Sequence, residues 1–256
     1  MKTIYTPFVA LVALAACNGY TAPSNPTNPG PTHTTYSAIG DSTTVAAKVA
    51  EFRLALGGAL NGAGPSAATG RREINWDGVP AAVTNVDNFP LDFFNVNSTR
   101  GAVYLTPGTG VRVDSLAFAT INPDLAAQFK PFSGKKLFMA VGSNKVETDF
   151  KVVGTGTPGL VQGFGVVFSD VDRANSAKVA FLDATGTTLL TLSAPAEAGA
   201  QKFSFIGAVF ETPIVAKVQI TSGEIALSPT AEDLSAGGTR DLVVMDDFIF
   251  GEPHLQ

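Results

Sequence analysis

Residues 146–153 read VETDFKVV. Val146, Thr148, Phe150 and Val152 share one parity, while Glu147, Asp149 and Lys151 share the other. Neighbouring side chains of an extended chain point to opposite faces, so this is a strand with one buried and one wet face. Residues 214–221, IVAKVQIT, repeat the pattern: Ile214, Ala216, Val218 and Ile220 alternate with Val215, Lys217, Gln219 and Thr221. Between these two stretches, residues 178–193 read KVAFLDATGTTLLTLS, two β-rich runs about a turn at Asp183-Ala184-Thr185-Gly186, which predicts a hairpin. Working outward, AVYLT (102–106), KLFMAV (136–141), GFGVVF (163–168), KFSFIGAVF (202–210) and LVVMDDFIF (242–250) are further strand-like runs. No helical pattern separates them, which argues against parallel winding. The expectation is an all-β, antiparallel two-sheet sandwich of the jelly-roll kind.

One helix precedes the strands. Val45, Val49, Phe52 and Leu56 recur at helical spacing within a run of good helix formers. Asp41 or Ser42 is placed to cap its start, and Gly57-Gly58 to end it.

The first residues read as an address. Lys2 is followed by an apolar run, residues 4–16, too short to cross a bilayer. The run ends in Leu14-Ala15-Ala16-Cys17, a lipobox pattern that makes the chain's sole cysteine the expected lipidation site. With no second cysteine there is no internal disulfide. Residues 1–16 are therefore expected to be a lipoprotein signal peptide. Residues 17–40 follow as a linker rich in Pro, Asn and Thr that includes His33, and residues 41–256 as the domain. Asn18 after the cysteine favours the outer membrane or cell surface over inner-membrane retention. A net charge of −5, with only 15% charged residues and the basic ones scattered, leaves no electrostatic footprint for nucleic acid.

Gly40-Asp41-Ser42 after an apolar pair resembles the nucleophile block of GDSL esterases, which would make Ser42 the attacking group. Such a serine needs an imidazole oriented by a carboxylate. The chain has two histidines, His33 and His254, and the residue three before His254 is Gly251 rather than an aspartate. The Gly-x-Asn-Asp oxyanion block is also missing. A non-enzymatic protein is expected; an exported hydrolase, through Ser42 or a carboxylate pair, is the alternative.

Two segments carry unusual polarity. GRREINWDGVP (70–80) holds Arg71, Arg72, Asn75, Trp76 and Asp77, with Asn75, Trp76 and the two arginines as candidate ligand-binding residues. VVMDDFIFGEP (243–253) sets Asp246 and Asp247 inside a buried run, so that alternation sends one carboxylate to the core and the other to solvent. A core-facing carboxylate needs a cation or hydrogen bonds. Asp170 and Asp172, in FSDVDRANS, alternate at a strand end. Calcium, which takes six to eight irregularly placed oxygens, is the candidate ion at Asp77, Asp246 and Asp247 and at Asp170 and Asp172.

GRREINWDGVP, FFNVNSTRGAVYLTPGTGVRV, GFGVVFSDVD, FSFIGAVF, AKVQITSG and VVMDDFIFGEP, in this order, resemble a family of uncharacterised exported bacterial proteins. Several of its members carry a PEP-CTERM sorting tail. The resemblance covers about residues 52–253 and implies a β-sandwich, export and a surface role, but no activity. This chain departs from the pattern with its lipobox and its lack of a C-terminal sorting helix. The expected function is that of a lipid-anchored binding or adhesion module for a glycan or a surface protein. With one Trp and few Tyr, it is poor in rings for a flat sugar platform.

Overall fold

A computed structural model of the chain describes residues 1–2 and 30–255. The expected signal peptide and Cys17 lie outside the described residues, apart from Met1 and Lys2. In chain order the first strands are β1 (His33–Gly40), β2 (Arg71–Ile74), β3 (Ala102–Leu105), β4 (Gly110–Asp114), β5 (Leu137–Val141), β6 (Lys145–Phe150) and β7 (Gly159–Leu160). They are followed by β8 (Gly163–Ser169), β9 (Lys178–Leu182), β10 (Thr188–Ser193), β11 (Phe203–Phe210), β12 (Lys217–Thr221), β13 (Val244–Gly251) and β14 (His254–Leu255). Helix α1 spans Ser42–Ala55, and a single turn, α2, spans Phe93–Val96.

Two antiparallel sheets face one another. The larger runs β1-β11-β8-β13-β5-β4, with β2 also paired to β13; the smaller runs β10-β9-β12-β6-β3. Between them lies the main core, where Trp76, Tyr104, Phe138, Phe164, Phe168, Phe248 and Phe250 meet. The two-sheet sandwich expected from period-two burial is what forms.

The two sheets differ in what covers their outer faces. On the larger sheet, α1 lays Val45, Val49, Phe52 and Leu56 against Val167, Phe203, Phe205 and Ile249. Farther along, Phe118, Leu125 and Phe129 from the loop before β5 cover Leu137, Met139 and Val244. Strands β8, β11 and β13 are therefore buried at every position. This is why their sequences are nearly continuous apolar runs while β6 and β12 alternate cleanly.

Helix α1 begins as expected: the Asp41 side chain accepts from the Thr44 backbone N–H at 2.8 Å. Gly57 and Gly58, both in the left-handed region, end it. The linker expectation for residues 17–40 needs correction at its end. His33–Gly40 pair residue by residue with Phe210–Phe203 as an edge strand of the larger sheet. Tyr36 and Ala38 from one side of that strand pack against α1, and backbone pairing to β11 supplies the rest. His33 is exposed, yet it stands in this strand with its ring 5.5 Å from that of Phe210.

Candidate functional site

The segment 71–77 is a structural seam. Arg72 is buried and bidentate to Glu252, Nε to Oε2 at 2.6 Å and a terminal nitrogen to Oε1 at 2.7 Å. The remaining guanidinium protons go to the carbonyls of Gly62, Pro65 and Thr99. Glu252 is completed by the Ala67 N–H and the Asn61 amide, both at 2.9 Å. This closed set of partners fastens the 58–70 loop to the end of β13 and leaves Arg72 nothing for a ligand. Arg71 and Arg53 both donate to Glu73. Burial alone would raise the Glu73 carboxyl, but those two guanidinium groups hold it below its ordinary value.

Trp76 is 1% exposed and stacks on Phe138 with centroids 4.0 Å apart, its indole N–H donating to the Asp246 carbonyl at 2.9 Å. It is a core anchor, and the expectation that it lines a binding surface is corrected. Of the four candidate binding residues, only Asn75 is exposed.

Asp246 and Asp247 do not divide between core and solvent: both are buried. Met245 pairs with Phe168 and Phe248 with Val166, so the two aspartates face one residue across the ladder, a β-bulge. The extra residue switches parity. Val243 and Met245 face the main core before it, and Phe248 and Phe250 face the same core after it. Both carboxylates reach the loop before β5. Asp246 Oδ2 accepts from the Phe132 and Ser133 backbone N–H groups, and Asp247 accepts from the Ser133 hydroxyl, with Arg53 at 3.6 Å. Burial, and then the neighbouring Asp247 charge, push Asp246 well above the usual carboxylate range; burial also raises Asp247. Asp77 holds the same loop by accepting from the Lys135 N–H at 2.8 Å. A Cβ on Gly134, at φ +57°, would sit 1.3 Å from the Asp77 carboxylate, so only glycine fits there. These three aspartates converge on one loop as hydrogen-bond acceptors. Their carboxylates do not gather into an ion-sized cluster among the described residues.

The other acidic spot does gather. Asp170 and Asp172, just past β8, meet Asp233 from the loop before β13, with one carboxylate oxygen of each within 4.8 Å of the others. Asp241 adjoins them, accepting from the Asp172 and Arg173 N–H groups at 3.1 and 3.0 Å. Asp170 is completely buried; that burial, followed by the charges of Asp233, Asp172 and Asp241, pushes its carboxyl up to about 9. Burial likewise pushes Asp241 up to about 6, against hydrogen bonds from Ser176 and Arg173.

Ser42 opens α1 and lines a depression with Thr43, Ala46, Arg53, Phe132, Ser133 and Asp247. Asp247 supplies a carboxylate to this depression, but no histidine lines it among the described residues. His254 is in β14, paired with Leu160 of β7.

Sequence reading missed the open face of the smaller sheet as a site. One row across its strands is Leu105, Glu147, Gln219, Ala180 and Thr191, each paired with the next. The adjacent row is Lys145, Thr221, Lys178 and Ser193. Over these rows lies a groove of about 470 Å³, bordered by Thr106 and Pro107. Lys217, on the next row, pairs with Glu147 at 2.8 Å and Asp149 at 3.4 Å, whereas Lys145 and Lys178 form no ion pair among the described residues. The polar parity of VETDFKVV and KVQIT was the available signal.

No protein-family model and no curated protein matches the chain. Among the solved structures that share a slight likeness to it are two of different kinds. One is the carbohydrate-binding module TmCBM61 in complex with β-1,4-galactotriose, at 9% identity and TM-score 0.30, covering 64% of this chain and 90% of that one. The other is the enzymatically active domain of tailspike protein 4 from bacteriophage CBA120, at 16% identity and TM-score 0.18, covering 56% of this chain and 21% of that one. Likenesses this slight carry nothing about ligand or activity; the sandwich stands on its own strand pairing.

Proposed function

We propose that the chain is a non-catalytic binding module that takes a glycan on the outer face of the five-stranded sheet, held at the cell envelope by lipid on Cys17. The observation that carries this reading is the asymmetry of the sandwich. Helix and loops bury the outer face of the larger sheet, while the smaller sheet leaves its groove open. A groove of this size lies in the usual range for small-ligand sites. Its Lys, Gln, Glu and Thr side chains offer donors and acceptors to sugar hydroxyls, and Leu105, Pro107 and Ala180 form an aliphatic rest for a sugar's C–H face. No aromatic ring lines the groove among the described residues, so hydrogen bonding rather than stacking selects the ligand. Lys145 and Lys178, two strands apart in one row and without an ion pair among the described residues, favour a glycan bearing carboxylate or sulfate groups.

Binding to acidic and neutral oligosaccharides by calorimetry tests the reading. Lys178→Ala is expected to weaken the acidic ligand about tenfold, as for loss of one charge-assisted hydrogen bond. Silence across a broad glycan array, or equal binding by the Lys178 and Gln219 alanine variants, would sink it.

A further inference from the structure

We infer that Asp170, Asp172 and Asp233, with Asp241 beside them, form a calcium site that locks two loops together at one end of the sandwich. This site is separate from the glycan groove and does not depend on that reading. The first observation is geometric: three carboxylates from two distant chain segments place oxygens within 4.8 Å of one another.

The second is what those oxygens lack. Asp170 Oδ1, Asp172 Oδ2 and Asp241 Oδ1 are buried and have no hydrogen-bond partner among the described residues, and Asp170 is 0% exposed. The remaining oxygens are already used. Asp172 Oδ1 accepts from Gly199 N–H at 2.6 Å, and Asp233 Oδ1 accepts from Leu242 N–H at 2.7 Å. Ser235 has one hydroxyl proton and three acceptors around it: Gln128 Oε1 at 2.6 Å, Asp233 Oδ2 at 2.7 Å and Asp170 Oδ2 at 3.4 Å. One hydroxyl proton cannot serve three acceptors, so carboxylate oxygens are left without a donor.

The third observation is the missing counter-charge. Glu252 has Arg72 and Asp114 has Arg112, but none of the four aspartates forms an ion pair among the described residues. The neighbouring Arg173 is turned to Glu224 and to the Thr239 carbonyl. A buried carboxylate without a cationic side chain either takes up a proton or holds a cation, and several carboxylates converging on one place suit a shared cation.

The donor set is all oxygen, hard and irregular, with an amide (Gln128) and a hydroxyl (Ser235) at its edge and no histidine or cysteine. That chemistry suits calcium rather than zinc, and its irregularity disfavours magnesium. A cavity of about 360 Å³ lined by Gln128 and Asp233 opens beside the cluster, giving an ion a way in.

The test uses the full chain after treatment with a chelator. Calcium alone, at a hundredfold excess over its Kd, is expected to raise Tm by about 5–10 °C, and magnesium by much less. Asp170→Asn and Asp233→Asn should each abolish the calcium shift. Asp170→Asn relieves like-charge crowding and is expected to fold without the ion. Asp77→Asn, at the other carboxylate group, should leave the shift intact. No calcium-dependent change in Tm and no binding heat at millimolar calcium would overturn the site. So would a shift that survives in Asp170→Asn, since the ion would then bind elsewhere.

Discussion

The carboxylate of Asp246 is buried beside that of Asp247, and among the described residues only one of its two oxygens has hydrogen-bond partners. Its raised folded-state pKa means that folding favours the protonated form. The stability this provides is fully present below the ordinary carboxylate value near 4 and is lost as the pH rises through the raised value. Asp246→Asn keeps an acceptor for the Phe132 and Ser133 N–H groups and removes the charge. Urea denaturation across pH 5–8 should therefore show a flatter dependence for the variant than for the parent. The variant should be roughly 1–3 kcal/mol more stable, relative to the parent, at the alkaline end. Parallel curves for the two proteins would contradict the assignment. The Arg72–Glu252 pair shows the opposite outcome for a buried carboxylate: with four protein donors on its two oxygens, counting both arginine contacts, Asn61 and Ala67, little is left for any other partner.

At the scale of the element, α1 sits where two strands give up their side chains. Gly165 of β8 pairs with Gly207 of β11. A Cβ on either would come within 2.8–2.9 Å of the Phe52 ring. That ring fills the hollow, edge-on to Tyr36 and Phe205. Gly165→Ala is expected to cost about 1–3 kcal/mol by overpacking, and Phe52→Ala about 3–5 kcal/mol by leaving a cavity. Because both act through one contact, Gly165→Ala should cost less in a Phe52→Leu background, as a double-mutant cycle would show. Additive costs would mean that the helix does not dock through this ring. The helix itself is legible in Val45, Val49, Phe52 and Leu56, but its docking site is not. Nothing local in FGVV or FIGAV says that two glycines in different strands will be neighbours.

For the whole molecule, the decisive feature is which sheet is covered. The central strands β8, β11 and β13 of the larger sheet are buried on both faces, and β1 closes the sheet along β11, so its most apolar strands present no free edge there. Deleting the residues before Asp41 would bare the β11 edge and the flank of α1. Such a truncation should lower Tm and drive association, read by light scattering and calorimetry against the full chain. A monodisperse truncation of unchanged Tm would show that β1 is dispensable.

Period-two alternation in VETDFKVV and KVQIT, the hairpin about Asp183–Gly186 and the helical spacing of α1 were determined by the sequence alone, because each depends on neighbours a few residues apart. The strand at His33–Gly40 was hidden, since an edge strand half-buried by a helix needs few apolar residues. The bulge at Asp246-Asp247 was hidden too: alternation assumes an uninterrupted ladder, and only pairing with β8 reveals the extra residue. Asp170 and Asp172 were visible as acids, but Asp233 and Asp241 join them from more than sixty residues away. Burial of Trp76 and Arg72, and the openness of the smaller sheet, were decided by tertiary structure, because exposure belongs to whatever packs above a residue and not to the residue itself.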